Sequence, residues 1–189
     1  MSDKAALRRE MLGRRDAIRP DMRIEKSLLA ADHALSLAPL AGLVPGTVVS
    51  GFLPIRSEID ARPLMDALRR AGARLCLPAV IDRETIEFRE LTRTTALVDT
   101  GFGTVGPGPD VPVLRPEILV VPLAAFDRRG GRLGYGAGYY DRAAAGLGAV
   151  LVGLAFAEQE VAHVPTEAHD VPLDAVATDA EAFMTERPA

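Results

Sequence analysis

The chain has a single cysteine, no tryptophan, and only two lysines among its 22 basic residues. One cysteine, Cys76, excludes an intrachain disulfide and fits a reducing compartment. It sits in the apolar run RLCLP and reads as a small buried hydrophobe, not a nucleophile. The few histidines show no zinc-ligand spacing. No apolar run approaches the roughly 18 residues that a membrane span needs. The N-terminus, MSDKAALRREMLGRRDAI, is charged from its first residues and has no apolar core, so a secretory signal is not expected. A basic excess is lacking too. The formal net charge is -4 and the pI near 5.4, which argues against a general nucleic-acid binder. The expectation is a soluble, cytoplasmic protein that engages neither membrane nor nucleic acid.

What is present is a core. The 189 residues are 48% hydrophobic, which suits one domain spanning 1–189. Residues 3–18 and 21–37 read as helices, with Ser2 or Asp3 as a first cap and Pro20 opening the second. Residues 47–53 read as a buried strand. Asp60 caps a helix to Arg70 that Gly72 ends. Residues 74–77 form a short strand that Pro78 stops, and 86–91 alternate as a half-exposed strand does. Residues 99–113 are too dense in Gly and Pro for either element and read as an ordered loop. Residues 117–121, 149–156 and 175–178 are further strands, with a helix over 139–145. Continuously apolar strands separated by helices imply an α/β fold, a single-domain α/β/α sandwich with a largely parallel central sheet. In such sheets ligands sit beyond the carboxyl ends of strands.

Residues 122–142, PLAAFDRRGGRLGYGAGYYDR, leave a strand, pass five glycines and enter a helix. Glycines let backbone N–H groups approach an anion, and a helix N-terminus favours one. Arg128, Arg129 and Arg132 add fixed cations, and Asp127 or Asp141 could hold Mg²⁺ on phosphates. The spacing fits neither a Walker A loop nor a dinucleotide fingerprint, so a plain tight connection and a phosphate cradle both remain open.

The run LGYGAGYYD resembles the signature of the 5-formyltetrahydrofolate cyclo-ligase family. The similarity extends to KAALR (4–8), FLPIRSEIDARPL (52–64), VGLAFAEQEV (152–161) and EAHDVPLDAVATD (167–179). The chain departs from it in having no tryptophan near Phe88 and an unfamiliar stretch over 92–113. The resemblance implies an enzyme of one-carbon metabolism. It would convert 5-formyltetrahydrofolate to 5,10-methenyltetrahydrofolate with ATP and Mg²⁺, releasing ADP and phosphate. It implies ATP contacts at Lys4, Arg8, Arg132, Leu133, Gly134, Tyr135, Gly136, Ala137, Gly138, Tyr139 and Tyr140, with Lys4, Arg8 and Arg132 acting on the transferring phosphoryl group. It implies reduced folate at Glu58, Phe52 and Tyr139, and Mg²⁺ at Asp141 and Asp174. A monomer or small homo-oligomer is expected. The other readings are a sugar-phosphate isomerase or CoA transferase-like enzyme on a related scaffold, and a non-catalytic nucleotide- or RNA-binding relative. Lys4 and Arg8 are four apart on a helix and so share a face. His169 and Asp170 read as a hydrogen-bonded turn before Pro172.

Overall fold

The computed structural model describes residues 3–101 and 104–186. Ser2, expected as a possible cap, lies outside the described residues. Among the described residues five α-helices run over Asp3–Asp16 (α1), Pro20–Leu35 (α2), Ala38–Ala41 (α3), Arg62–Arg70 (α4) and Tyr139–Leu147 (α5). The strands are Val48–Ser50 (β1), Arg74–Val80 (β2), Ile86–Glu90 (β3), Leu97–Gly101 (β4), Thr104–Pro107 (β5), Ile118–Val121 (β6), Ala125–Phe126 (β7), Arg132–Leu133 (β8), Val150–Leu154 (β9), Ala175–Ala177 (β10) and Ala182–Met184 (β11). Seven of them form one sheet in the order β11-β10-β9-β6-β1-β2-β3. The inner strands run parallel, and β3 and β11 close the two edges antiparallel.

Alternation along the strands sorts side chains into two layers. Val49, Leu75, Ile118, Val120, Val152 and Leu154 meet Ala30 and Ala34 of α2 and Leu64 and Leu68 of α4. Cys76, Leu119, Val121, Leu151 and Val176 meet Phe126 and Ala144 of α5 on the other face. This is why the central strands read as unbroken apolar runs: both faces are covered. Burying each of the Val, Leu, Ile and Phe side chains among them contributes about 1.5–3 kcal/mol. Helix α1 stands outside this sandwich and buries Met11 against Ala125, Leu133 and Val164. No helix among the described residues is long and apolar enough to cross a membrane. Cys76 is fully buried, and burial pushes its thiol up to about 12, so it is inert at neutral pH.

Several expectations need correction. Strand β2 runs through Pro78 to Val80. The β1 ladder ends where Ser50 pairs with Cys76, so the N–H that Pro78 lacks is not needed on that side. The stretch read as a loop over 99–113 holds most of the β4–β5 hairpin, which begins at Leu97 and is fastened by the Thr100–Thr104 hydroxyl contact at 2.9 Å. Its β-branched residues outweigh the Gly and Pro inside it, Gly101, Gly106 and Pro107. Strand β11 was not expected. It follows a turn in which the Thr178 hydroxyl accepts from the N–H groups of Ala180 and Glu181. Asp60 accepts from the Arg62 N–H at 2.9 Å, although Ala61 is the cap residue of α4.

Between β1 and β6 the strand order reverses direction. The chain goes outward to β2 and β3 on one side, and to β9, β10 and β11 on the other. Loops leaving such a point diverge and open a crevice.

Candidate active site

That crevice is a cavity of about 880 Å³. One wall is the segment after β1, which carries Phe52 and Glu58. Opposite are Arg132 and the glycine loop from β8 into α5. Lys4 and Arg8 of α1 close one end, with Glu167, His169 and Asp170 beside them. Leu97, Thr104 and Val105 of the hairpin form an apolar flank. Lys4, Arg8, Phe52, Glu58 and all of residues 132–141 line this one space. Asp174 does not. Its carboxylate accepts from the Leu151 N–H at 2.8 Å, at the beginning of β9 and so at the amino end of the sheet.

The loop conformation explains its glycines. Gly136 has φ +102, and a Cβ there would lie 3.4 Å from the Arg8 guanidinium carbon. Gly138 opens α5 at φ +68. Both positions disfavour any residue with a Cβ. Arg8 packs on this turn and donates from Nε to the Gly134 carbonyl at 2.6 Å. Lys4 donates to Asp170 at 2.7 Å and lies 3.3 Å from Glu167. Burial pulls the Lys4 ammonium down, but the two carboxylates outweigh it and leave the value raised. Burial likewise opposes Asp170, yet Lys4 and the Glu167 N–H hold its carboxyl below the usual range.

Arg132, nearly buried, donates to Asp141 Oδ1 at 2.6 Å and to the Val171 carbonyl. The Val171 N–H also goes to Oδ1, at 3.0 Å, so both contacts fall on one carboxylate oxygen. Asp141 and Asp170 both line the cavity, and Glu167, His169 and Asp170 could share an ion among themselves. Carboxylate oxygens beside a phosphate-sized space suit Mg²⁺, which binds few protein ligands and completes its shell with phosphate and water. The donor chemistry of Asp141 and Asp170 therefore suits the metal, whereas Asp174, also expected as a ligand, does not line the cavity.

Other cations have different tasks. Arg128 bridges Glu160 and Glu181 and lies over the Phe183 ring at 4.5 Å, away from the cavity. Asp127 is buried and accepts from the N–H groups of Arg129, Gly131 and Val164, so it shapes a turn and is not available to a metal. The Tyr139 hydroxyl donates to the Asp82 carbonyl at 3.0 Å. Burial raises the Tyr140 phenol well above its usual range.

Glu58 is buried. Its Oε2 accepts from the Ile55 N–H at 2.9 Å, and Oε1 faces Arg15 at 3.9 Å. Arg15 escaped the sequence reading, although a signal existed. Positions 4, 8, 11 and 15 form one helical stripe, so the face bearing Lys4 and Arg8 continues into buried Met11 and Arg15.

Comparison with known proteins followed the same lines. Residues 1–179 match the 5-formyltetrahydrofolate cyclo-ligase family. The 5-formyltetrahydrofolate cyclo-ligase of Escherichia coli is 33% identical over 179 residues, 90% of this chain and 97% of that one. The one from Mycolicibacterium smegmatis is 32% identical over 74% of this chain and 77% of its own. The solved 5,10-methenyltetrahydrofolate synthetase of Aquifex aeolicus superposes with a TM-score of 0.82 at 28% identity, covering 98% of this chain and 94% of that one.

Proposed function

Since the chain belongs to the 5-formyltetrahydrofolate cyclo-ligase family, we propose that it closes 5-formyltetrahydrofolate to 5,10-methenyltetrahydrofolate at the expense of ATP. The observation that carries this reading is one cavity lined both by a buried carboxylate after β1 and by a glycine loop flanked with cations. Glu58 takes the N–H donors of the pterin. Phe52, Tyr139 and the apolar hairpin flank cover its ring. Lys4, Arg8, Arg132 and the loop amides of residues 133–140 hold the triphosphate.

A formamide oxygen is a poor leaving group. The γ-phosphoryl group therefore passes to the N5-formyl oxygen: an O–P bond forms there, the bond to the β-phosphate oxygen breaks, and ADP carries away that electron pair. The N10 nitrogen then attacks the activated carbon. Phosphate departs with the former formyl oxygen, N10 gives up its proton to water, and the five-membered ring is left as the methenyl cation. Lys4, Arg8 and Arg132 face the charge that develops on the transferring group, which a water-poor site makes most effective. The opposed walls hold N10 near the formyl carbon. Asp141 and Asp170 would hold Mg²⁺, which when bound neutralises phosphate charge. Incubation with 5-formyltetrahydrofolate, ATP and Mg²⁺ should yield the absorbance of the methenyl product, together with ADP. A non-catalytic relative, or an isomerase or transferase, would give neither.

A further inference from the structure

Two buried polar atoms face each other without a hydrogen bond: Arg15 Nη1 and Glu58 Oε1, 3.9 Å apart. Their side chains are 1% and 3% exposed. Unmade bonds are rare at such depth and call for a reason. The rest of the Arg15 guanidinium is firmly placed. Its Nε donates to the Ser57 hydroxyl at 3.0 Å, and its Nη2 donates to the Tyr135 hydroxyl at 2.6 Å. Its central carbon lies 5.6 Å from the centre of the Tyr135 ring. The Ser57 hydroxyl in turn donates a hydrogen bond to the Asp16 carboxylate. Helix α1, the loop after β1 and the glycine loop thus converge on one cation. A simple salt bridge does not explain this, because its nearest approach to Glu58 stops short of hydrogen-bond distance.

We propose that Arg15 is a positioning residue of the active site: its guanidinium, fixed by Ser57 and Tyr135, keeps the Glu58 carboxylate ionised and aimed at the N–H donors of the pterin. The proposal rests on the reading of Glu58 as the folate carboxylate. The chemistry requires an anion. Ionised, Glu58 is an acceptor at both oxygens; protonated, it turns a donor toward donors. Burial works against the anion and pushes the Glu58 carboxyl above its ordinary value, while the Ile55 N–H, Arg15, Tyr135 and Arg56 pull the other way. The groups that face Glu58 are Arg15 from α1, Tyr135 from the glycine loop, Tyr140 from α5 and Arg56 from its own loop. Arg56 is exposed, so water screens it, whereas the field of buried Arg15 is not screened. The unmade bond then has a purpose. Glu58 is held by charge at a short distance, and its Oε1 is not consumed by a protein donor.

The test begins with ¹³C NMR titration of glutamate side-chain carboxyls in ligand-free protein, with E58Q identifying the Glu58 signal. In the wild type Glu58 should be ionised at neutral pH, and a protonated Glu58 there overturns the proposal without any variant. In R15Q the Glu58 midpoint should rise by about one unit or more. The Kd for 5-formyltetrahydrofolate at neutral pH should weaken about tenfold or more and recover at alkaline pH. The Kd for ATP·Mg²⁺ should stay within about twofold. R15K, which keeps the charge, should restore the midpoint and most of the folate affinity. A merely structural Arg15 would give losses that no pH change repairs. An unmoved midpoint in R15Q, with folate binding lost in E58Q, overturns the role of Arg15 alone. Folate binding unchanged in both R15Q and E58Q overturns the reading of Glu58 together with the proposal.

Discussion

Asp170 and Asp174 offer a sharp contrast, because only one of these carboxylates faces the cavity. The Asp170 side chain is 17% exposed and accepts from Lys4 at 2.7 Å. Asp170→Asn keeps a carbonyl oxygen for the Glu167 N–H but deletes the charge opposite Lys4. A hydrogen bond between charged groups contributes about 1.5–3 kcal/mol, which the partial exposure of both partners trims to about 1–2. For a chain of this size that lowers Tm by roughly 2–8 °C. The carboxyl of Asp170 lies below its ordinary value, so its stabilisation is complete above that value and is lost as pH falls through the lowered one. Asp170→Asn should flatten this part of the acid limb. It should also raise the Mg²⁺ needed for half-maximal rate about tenfold or more, since one of the ion's proposed protein ligands loses its charge. Asp174→Ala exposes the opposite logic. It strips the acceptor from the Leu151 N–H and should cost about 1–3 kcal/mol of stability with an unchanged Mg²⁺ requirement. Initial rates against Mg²⁺ at saturating ATP and folate, with melting curves alongside, separate the two. A shifted Mg²⁺ requirement in D174A and a normal one in D170N would refute the assignment.

Three further outcomes are expected. Lys4→Met should raise the KM for ATP about tenfold or more and leave folate affinity near wild type, read by steady-state kinetics and calorimetry. Glu58→Gln should weaken folate binding about tenfold or more without affecting ATP·Mg²⁺. Burial sets the folded Glu58 value above the unfolded one, so the wild type loses stability as pH rises between them, and urea melts of E58Q across that window should lack this slope. Gly136→Ala places a Cβ at φ +102 and 3.4 Å from Arg8, at a cost of about 1–2 kcal/mol, and should raise the KM for ATP while sparing folate.

The parts legible in the sequence were those governed by local pattern. ILVV and VLVGL announce strands covered on both faces, and all six expected strands lie within about three residues of where the pattern puts them. The glycine loop was visible because left-handed turns demand glycine. What escaped depended on neighbours distant in sequence. Pro78 sits inside a strand because β1 stops short beside it. The β4–β5 hairpin was hidden by glycines and a proline that sit within its paired strands. Asp170 and Asp174 look alike in EAHDVPLDAVATD, and only the fold shows which one faces Lys4 and which one is spent on Leu151. Arg15 looked like one more surface arginine on a charged helix until Ser57 and Tyr135 closed over it.

The place where the strand order reverses sets more than the position of the cavity. Val49 stands beside Ile118 and Ser50 beside Leu119, and this brief parallel ladder joins the half of the sheet that carries Glu58 to the half that carries the glycine loop. The spacing between the two walls is therefore a property of main-chain register. A slip of one residue would move one wall past the other by about 3.3 Å, as large as the whole separation of two atoms about to react. Exchanging a side chain can weaken either substrate's hold, but it leaves this ruler untouched. Altering β1 or β6 in length would keep every contacting residue and still part the reacting atoms.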